Sequence, residues 1–215
     1  MDKKIGLSIV IPVLNESNNI HILTNKIIQN LKKINFELIF VDDNSIDKSK
    51  KILNFLKKKY KFFKPIFRKK KRDLTQSCFE GIKKSKFDNI LIMDGDMQHD
   101  PKYIKPMLKI IKKYDCDIVV GARPLVKGPN QGLSEMRRFA SNLLIFLFSV
   151  FNIKTTDPMS GFFLFKKNIY IKNKKFFFGK GFKILADFLI NSKKNLKIRD
   201  VSIVFKRRYN DESKM

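Results

Sequence analysis

Residues 89–98 read NILIMDGDMQ, a short apolar run followed by two aspartates that are separated by a single glycine. A continuous apolar run of this kind is typical of a parallel strand that is covered on both faces. Asp94 and Asp96 would then stand at the carboxyl end of that strand, which is where open α/β sheets bind their ligands. This one stretch therefore predicts a buried strand and a polar site at its tip.

Similar apolar runs on both sides of this stretch extend the predicted sheet. Strands are predicted at Leu7–Val13, Phe36–Val41, Asn89–Met93, Asp117–Gly121, Phe162–Phe165 and Val201–Phe205. Phe62–Phe67 predicts a weaker strand, because Pro65 has no N–H to donate and suits only an edge or an end.

Apolar residues between these strands recur every three or four positions, as on the buried face of a helix. The recurring residues are Ile20, Leu23, Ile27, Leu31 and Ile34 in one predicted helix and Ile104, Leu108 and Ile111 in another. Ser17/Asn18 is the predicted cap of the first helix, and Asp100 followed by Pro101 begins the second. A further helix is predicted at about 182–192. Strands that alternate with helices predict an α/β fold with a mostly parallel central sheet.

The length of 215 residues suits a single domain over residues 1–215, with a first half at 1–121 and a second at 122–215. In the second half, Pro and Gly predict a long loop at 122–133, and a helix follows at 134–152. Its apolar stretch, Leu143–Phe151, would span roughly 13 Å as a helix, less than half of a ~30 Å hydrocarbon core. This helix therefore suits a membrane interface or the protein core, but it cannot cross a membrane.

The chain carries 46 Lys and Arg against 20 Asp and Glu, a formal net charge of +26. The excess fits either a solvated lysine surface or attraction to an anionic surface, such as lipid headgroups or nucleic acid. A nucleic-acid binder would interleave aromatic residues with its cations, whereas these lysines are spread over predicted helix faces and turns. The sequence therefore predicts no nucleic-acid partner.

Three predicted strands end in polar residues, namely Asn15-Glu16, Asp42–Ser45 and Asp94–Gln98. Asp94 and Asp96 can turn oxygens toward one hard cation, and Mg²⁺ or Mn²⁺ takes a few carboxylates together with phosphate oxygens. The first two segments also fit ordinary turns and caps, and Asp100 suits a helix cap better than a metal ligand. His99, beside the acidic run, is a further candidate ligand.

Motifs in these segments resemble those of the family 2 inverting glycosyltransferases of the GT-A fold. The motifs are SIVIPVLNE at 8–16, VDDNS at 41–45 and DGDMQHDP at 94–101. Later motifs narrow the resemblance to the polyprenyl- or dolichyl-phosphate mannose synthases, and these are GAR at 121–123, RRFAS at 137–141, DPMSGF at 157–162 and RYNDESKM at 208–215. The resemblance covers nearly the whole chain.

The resemblance implies a nucleotide-sugar and metal site in residues 1–121 and an acceptor site in residues 122–215. The implied donor-binding residues are Pro12, Leu14, Glu16, Val41, Asp43, Asp94, Gly95, Asp96, Arg123, Arg208 and Lys214. The implied metal ligands are Asp94, Asp96 and Gln98, the implied acceptor-binding residues are Arg137 and Ser141, and the implied catalytic residues are Asp94, Asp96, Arg123 and Arg208.

The resemblance also implies a reaction, in which an acceptor oxygen displaces the nucleoside diphosphate at the anomeric carbon and the configuration inverts. GDP-mannose is the leading donor and a UDP-sugar the alternative. A polyprenyl phosphate acceptor is already ionised and needs no general base. For a hydroxyl acceptor, Asp157 is the candidate base.

Four departures from the family pattern stand out in the sequence. Leu14 replaces an aromatic residue, Asp73-Leu74 replaces a glycine-rich stretch, and Asp211 stands where a glycine usually precedes Glu-Ser-Lys. The sequence stops at Met215, where many relatives continue into membrane helices. We therefore expect a membrane-anchoring partner protein, an interfacial helix, or a longer chain.

The expected location is the cytoplasm, with peripheral association at the cytoplasmic face of a membrane. Cys78 and Cys116 lack CxxC spacing and suit small buried residues in a reducing compartment. Residues 134–152 begin basic and become apolar, as interfacial helices do. Phe176–Lys180 predicts either a second aromatic-basic edge or a core strand.

Other enzyme classes fit the motifs less well. A phosphatase of the haloacid dehalogenase type would carry Thr or Val where Gln98 stands, and a receiver domain would place its acidic pair after the first strand rather than at Asp42-Asp43. A Rossmann dehydrogenase would need a glycine fingerprint that the chain lacks. The chain also contains no Trp, so it lacks the Gln-x-x-Arg-Trp signature of processive relatives, and one sugar per turnover is expected.

Overall fold

The computed structural model describes residues 6–123, 154–192 and 195–205. The strands within these ranges are β1 Gly6–Val13, β2 Asn35–Asp42, β3 Phe63–Phe67, β4 Asn89–Ile92, β5 Ile118–Ala122, β6 Phe163–Lys166 and β7 Ile198–Ser202. The helices are α1 Ser17–Asn30, α2 Ser49–Lys59, α3 Leu74–Lys84, α4 Ile104–Lys113, α5 Lys167–Asn173 and α6 Ile184–Asn191, with a 3₁₀ turn at Pro101–Tyr103 before α4.

The described strands form one sheet in the order β3-β2-β1-β4-β6-β5-β7. Strands β1 to β4 run parallel, β7 runs parallel to β5, and β6 lies antiparallel between β4 and β5. In the register, Pro12 lies opposite Val41 and Val10 opposite Ile92, so the carboxyl ends of β1, β2 and β4 share one edge. The prediction of a mostly parallel α/β sheet is confirmed, and β3 with Pro65 is indeed an edge strand.

Helices cover both faces of the sheet, which explains why its strands are continuously apolar. Ile9 and Ile11 pack with α1, α2 and α4 on one face, while Val10 packs with α3, α5 and α6 on the other. The second face is rich in aromatic rings, and those of Phe177 and Phe188 stack with centroids 4.4 Å apart. Cys78 and Cys116 are free and buried, as predicted, and burial raises the pKa of both thiols.

Several predicted boundaries differ from the structure. The last strand is Ile198–Ser202 rather than Val201–Phe205, because its register is set by pairing with β5, where Ala122 lies opposite Ser202. Ser17 and Asn18 lie inside α1, which is preceded by Glu16 without a side-chain cap bond, and the helix ends at Asn30. The Asp100 cap is confirmed, since its side chain accepts a hydrogen bond from the Lys102 N–H.

Some predictions lie outside the described residues. These are most of the loop at 122–133, the helix at 134–152, and the site residues Arg137, Ser141, Arg208 and Lys214. Within residues 6–123, 154–192 and 195–205, none of the helices has the length and apolar character needed to span a bilayer.

Candidate active site at the carboxyl edge of the sheet

The tips of β1 and β2 are joined by backbone and side-chain hydrogen bonds. The Asp43 N–H donates to the Val13 carbonyl at 2.9 Å, and the Asn15 N–H donates to Ser45 Oγ at 2.9 Å. Asn15 and Asn44 have φ angles of 54° and 63°, a left-handed conformation that asparagine tolerates better than most residues. Asn15 and Ser45 are thus turn residues here, as the simpler interpretation of the sequence held.

The predicted nucleoside-binding residues line this junction. Pro12 and Val41 are buried on neighbouring strands, in register, and Leu14 is half-buried just beyond the tip of β1. Glu16 is buried, and its Oε2 accepts a 2.6 Å hydrogen bond from the Asn19 side chain. The structure therefore brings these four residues to the same edge of the sheet.

Asp43 is held by groups that the sequence did not single out. Its carboxylate accepts hydrogen bonds from the Arg68 guanidinium and, at 2.7 Å, from the Asp73 N–H. Arg68 is itself buried and also reaches Glu80 at 3.2 Å and Ser77 at 3.0 Å. Arg68 directly follows the last residue of β3, which is the position that could have marked it as part of the site.

Asp73 connects this edge to a distant part of the chain. Its Oδ1 accepts from the Gln76 N–H at 2.9 Å and so caps α3, while its Oδ2 accepts from the Gly181 N–H at 2.8 Å. The departure Asp73-Leu74 from the family pattern therefore has a structural role, because one carboxylate joins α3 to the loop before α6.

We expect Asp73→Ala to lower the free energy of unfolding by about 2 kcal/mol, because a helix cap and a long-range hydrogen bond are lost together. Urea denaturation monitored by circular dichroism measures this change. Asp73→Asn keeps an acceptor oxygen for the cap and is expected to lose less. An unfolding midpoint of Asp73→Ala equal to that of the wild type would contradict the role.

Side chains beyond β4 alternate between the open edge and the interior. Asp94, Asp96 and Gln98 are partly exposed, whereas Met97 and His99 are buried. Gly95 lies against β1, and a Cβ built there would stand 2.7 Å from Val13 Cγ1. The three predicted metal ligands are thus all partly exposed just beyond the tip of β4.

A second glycine packs directly against one of these carboxylates. A Cβ at Gly161 would stand 2.6 Å from Asp94 Oδ2, so any larger residue would displace that carboxylate. Gly161 belongs to the DPMSGF motif, and Ser160 Oγ anchors the motif by donating to the Gly121 carbonyl at 2.8 Å. The DPMSGF motif, from the second half of the chain, therefore packs against the Asp94 side of the site.

His99 is buried beneath the site rather than exposed beside Asp94 and Asp96. Its ring stacks on Phe162 with centroids 5.1 Å apart, and Nδ1 accepts a 3.4 Å hydrogen bond from the Asp94 N–H. Burial lowers the pKa of His99 to about 4, so the ring is neutral near pH 7 and its 3.6 Å approach to Asp94 Oδ2 is not an ion pair. Among the described residues, no three His, Cys, Asp or Glu side chains are arranged to hold a metal ion, so a cation here would need ligands of other kinds.

Arg123 follows β5 and is held by a bidentate ion pair with Asp157. Its Nε and Nη2 donate to the two oxygens of the buried Asp157 carboxylate at 2.7 and 2.8 Å. These hydrogen bonds raise the pKa of Arg123. The guanidinium also lies 5.4 Å from the ring centre of Phe205, which brings the segment after β7 to this corner.

The Asp157 loop is fixed from β7 as well. Asp200 accepts hydrogen bonds from Thr155 Oγ1 at 2.8 Å and from the Thr156 N–H at 2.7 Å. The charges of Asp96, Arg123 and Asp157 all contribute to the shifted pKa of His99, after the larger effect of burial. The described part of the predicted site is therefore assembled at one edge of the sheet.

The match to a protein family settles the class of this chain. Residues 8–174 match the family model described as glycosyl transferase family 2. The chain belongs to glycosyl transferase family 2. The resemblance carried by its motifs is thereby confirmed.

Relatives of this family 2 glycosyltransferase include three proteins named dolichol-phosphate mannosyltransferase. The one from Pyrococcus furiosus is 31% identical over 214 residues, which are 97% of this chain and 59% of that protein. The one from Saccharomyces cerevisiae is 29% identical, and the match covers 98% of this chain and 81% of that protein. The one from Mycosarcoma maydis is 26% identical, and the match covers 97% of this chain and 73% of that protein. The chain thus spans 59% of the length of the Pyrococcus relative.

Solved structures share the fold of this family 2 chain. Glucosyl-3-phosphoglycerate synthase from Mycobacterium tuberculosis, in complex with Mn²⁺, uridine diphosphate and glucosyl-3-phosphoglycerate, aligns with a TM-score of 0.73 and 16% identity over 95% of this chain and 72% of that one. S. aureus TarS aligns with a TM-score of 0.62 and 16% identity over 92% and 58%. At this identity the likeness shows the fold alone.

Proposed function

We propose that this chain transfers a hexose, with mannose from GDP-mannose as the leading candidate, to dolichyl phosphate or a related polyprenyl phosphate. The observation that carries the proposal is the arrangement at the sheet edge, where the partly exposed Asp94 and Asp96 follow β4 and Arg123, held by Asp157, follows β5. Carboxylates for a cation and a fixed positive charge are the groups that a departing diphosphate requires. The relatives named dolichol-phosphate mannosyltransferase support the choice of sugar and acceptor.

A divalent cation, Mg²⁺ or Mn²⁺, fits the donor set at the tip of β4. Asp94, Asp96 and Gln98 offer hard oxygen ligands and are partly exposed, and phosphate oxygens of the donor would complete the coordination. When bound, the cation would offset negative charge that develops on the leaving diphosphate. The Mycobacterium tuberculosis synthase, which has the same fold, was crystallised with Mn²⁺ and uridine diphosphate.

The nucleoside is proposed to lie against the junction of β1 and β2. Pro12, Leu14, Glu16 and Val41 line this junction, and Gly95 allows the tip of β4 to approach it closely. Arg68 and the Asp73 N–H fix the Asp43 carboxylate in one orientation before any ligand arrives. Such preorganisation reduces the entropy that binding has to overcome.

The hydrogen bonds of Asp157 support a phosphate acceptor over a hydroxyl acceptor. Both of its oxygens accept hydrogen bonds from Arg123, so it is poorly placed to take a proton from an incoming hydroxyl. An ionised phosphate oxygen needs no such base. In the proposed step, this oxygen bonds to the anomeric carbon while the bond from that carbon to the diphosphate oxygen breaks, and the configuration inverts.

The remaining assignments follow from the motifs. Arg137 and Ser141 are proposed to bind the acceptor phosphate, and Arg208 and Lys214 to add positive charge around the donor phosphates. Because the acceptor is a lipid, we propose peripheral association with the cytoplasmic face of a membrane, aided by a membrane-anchoring partner protein. The net charge of +26 supports attraction to an anionic bilayer.

A direct assay tests the proposal. The purified protein is incubated with Mg²⁺ or Mn²⁺, with GDP-mannose, UDP-glucose and other nucleotide sugars in parallel, and with dolichyl phosphate or, as a matched control, dolichol. We expect a mass-spectrometric product from dolichyl phosphate and none from dolichol. Transfer only to a hydroxyl acceptor, or no transfer from any nucleotide sugar, would contradict the proposal.

A further inference from the structure

An exposed loop between α5 and α6 combines aromatic and basic side chains. We refer to residues 174–183 as the Phe-Lys loop. Phe178 and Phe182 are 75% and 58% exposed, although large apolar side chains are usually buried. Lys174, Lys175, Lys180 and Lys183 are exposed beside them, and the sequence contains no acidic residue from 158 to 186. The loop is therefore a surface that is both apolar and uniformly positive.

The backbone of the Phe-Lys loop is fixed from two sides. Asp187, on α6, accepts hydrogen bonds from the Phe178 N–H at 2.9 Å and from the Gly179 N–H at 2.8 Å. Asp73 holds the Gly181 N–H at 2.8 Å, as described above. Gly179 and Gly181 have φ angles of 68° and 85°, which other residues adopt only with strain. The outward direction of Phe178 and Phe182 is therefore set by the fold.

The middle of the phenylalanine run points the other way. Phe177 is buried and stacks on Phe188, while Phe178 beside it is exposed. The prediction of a core strand at Phe176–Lys180 is thus wrong, and the prediction of an aromatic-basic edge fits the exposed side chains. Phe177 anchors the loop, whereas Phe178 and Phe182 are mostly exposed.

The Phe-Lys loop also lies next to the proposed donor site. The Asp73 carboxylate accepts a hydrogen bond from the loop, and the Asp73 N–H donates one to Asp43. A single residue therefore links the loop to the nucleoside side of the site. A surface that docks on this loop would therefore lie near the edge of the sheet where the transfer is proposed.

We propose that the Phe-Lys loop docks on an anionic lipid bilayer. Exposed aromatic rings insert into the interfacial region of a bilayer, and lysines around them are attracted to anionic headgroups. A nucleic acid would meet the acidic groups at the neighbouring strand tips, which disfavours a polyanionic chain as the occupant. The proposal rests on the proposed function in one respect, since a lipid-phosphate acceptor lies in such a bilayer.

The test measures sedimentation with vesicles, in the absence of any donor or acceptor lipid, so its outcome does not depend on catalysis. Vesicles of phosphatidylcholine alone are compared with vesicles that contain an equal share of phosphatidylglycerol. We expect the wild type to bind only the latter, and Phe178→Ser/Phe182→Ser to weaken binding by at least about tenfold. Lys180→Gln and Lys183→Gln are each expected to weaken binding to the anionic vesicles by about fivefold.

Phe55→Ser is the matched control, because Phe55 is 56% exposed on α2, outside the Phe-Lys loop. It should bind vesicles like the wild type, and the thermal unfolding temperature should be unchanged in all these variants. Wild-type binding by Phe178→Ser/Phe182→Ser would overturn the proposal. It would also be overturned if the wild type did not bind anionic vesicles, or if the loop variants lost affinity only for a single-stranded oligonucleotide.

Discussion

Asp96→Asn is expected to lower kcat by about a hundredfold or more, because a neutral amide binds a divalent cation weakly and the leaving diphosphate loses its stabilisation. Asp96 is half-buried at the tip of β4, and its Oδ1 also accepts a hydrogen bond from the Gln98 N–H at 3.1 Å. The measurement is the initial rate of sugar transfer at saturating donor over a range of Mg²⁺ or Mn²⁺ concentrations.

Asp88→Asn provides the control for this substitution. Asp88 is exposed and directly precedes β4, at the end of the strand opposite to Asp96. Asp88→Asn therefore makes the same chemical change far from the proposed site. We expect wild-type rates from this variant. If Asp96→Asn turned over like Asp88→Asn, the proposed cation site would be wrong.

Arg123→Met is expected to reduce kcat/KM for the nucleotide sugar by about a hundredfold, because it removes a fixed positive charge from the place where charge develops. It also leaves the buried Asp157 carboxylate without its bidentate partner, which adds negative charge to the same corner. Arg123→Lys restores a charge but not the planar fork, so we expect a partial recovery.

Arg199→Met tests whether the effect belongs to the site. Arg199 lies on β7, where its guanidinium is 5.0 Å from the ring centre of Tyr114, away from the strand tips. Steady-state kinetics of this variant should match those of the wild type. Equal kinetics for Arg123→Met and the wild type would remove Arg123 from the proposed mechanism.

The sequence predicted those features that depend on local pattern. Continuous apolar runs located most strands, and the DGDMQ motif located the partly exposed Asp94, Asp96 and Gln98 just beyond the end of β4. Asp100 and Pro101 marked the start of the turn before α4 because a cap is a local signal.

Features that depend on distant contacts were not predicted. Arg68 begins the run RKKKR at 68–72, which reads as a solvated charge run until the fold places it beside Asp43. The antiparallel position of β6 between β4 and β5 depends on pairing across long stretches of sequence. The opposite directions of Phe177 and Phe178 depend on the stacking of Phe177 on Phe188 and on the hydrogen bond that Asp187 accepts from the Phe178 N–H, which periodicity does not reveal.

A crystal soaked with Mn²⁺ and a nucleoside diphosphate tests whether Asp94 and Asp96 hold a cation that binds the donor diphosphate. We predict an anomalous peak for Mn²⁺ between the carboxylates of Asp94 and Asp96, with diphosphate oxygens on the same ion and Arg123 beside them. Nucleotide bound away from the carboxyl edge of the sheet, or a well-occupied nucleotide with no metal peak between these carboxylates, would contradict the proposed donor and cation site.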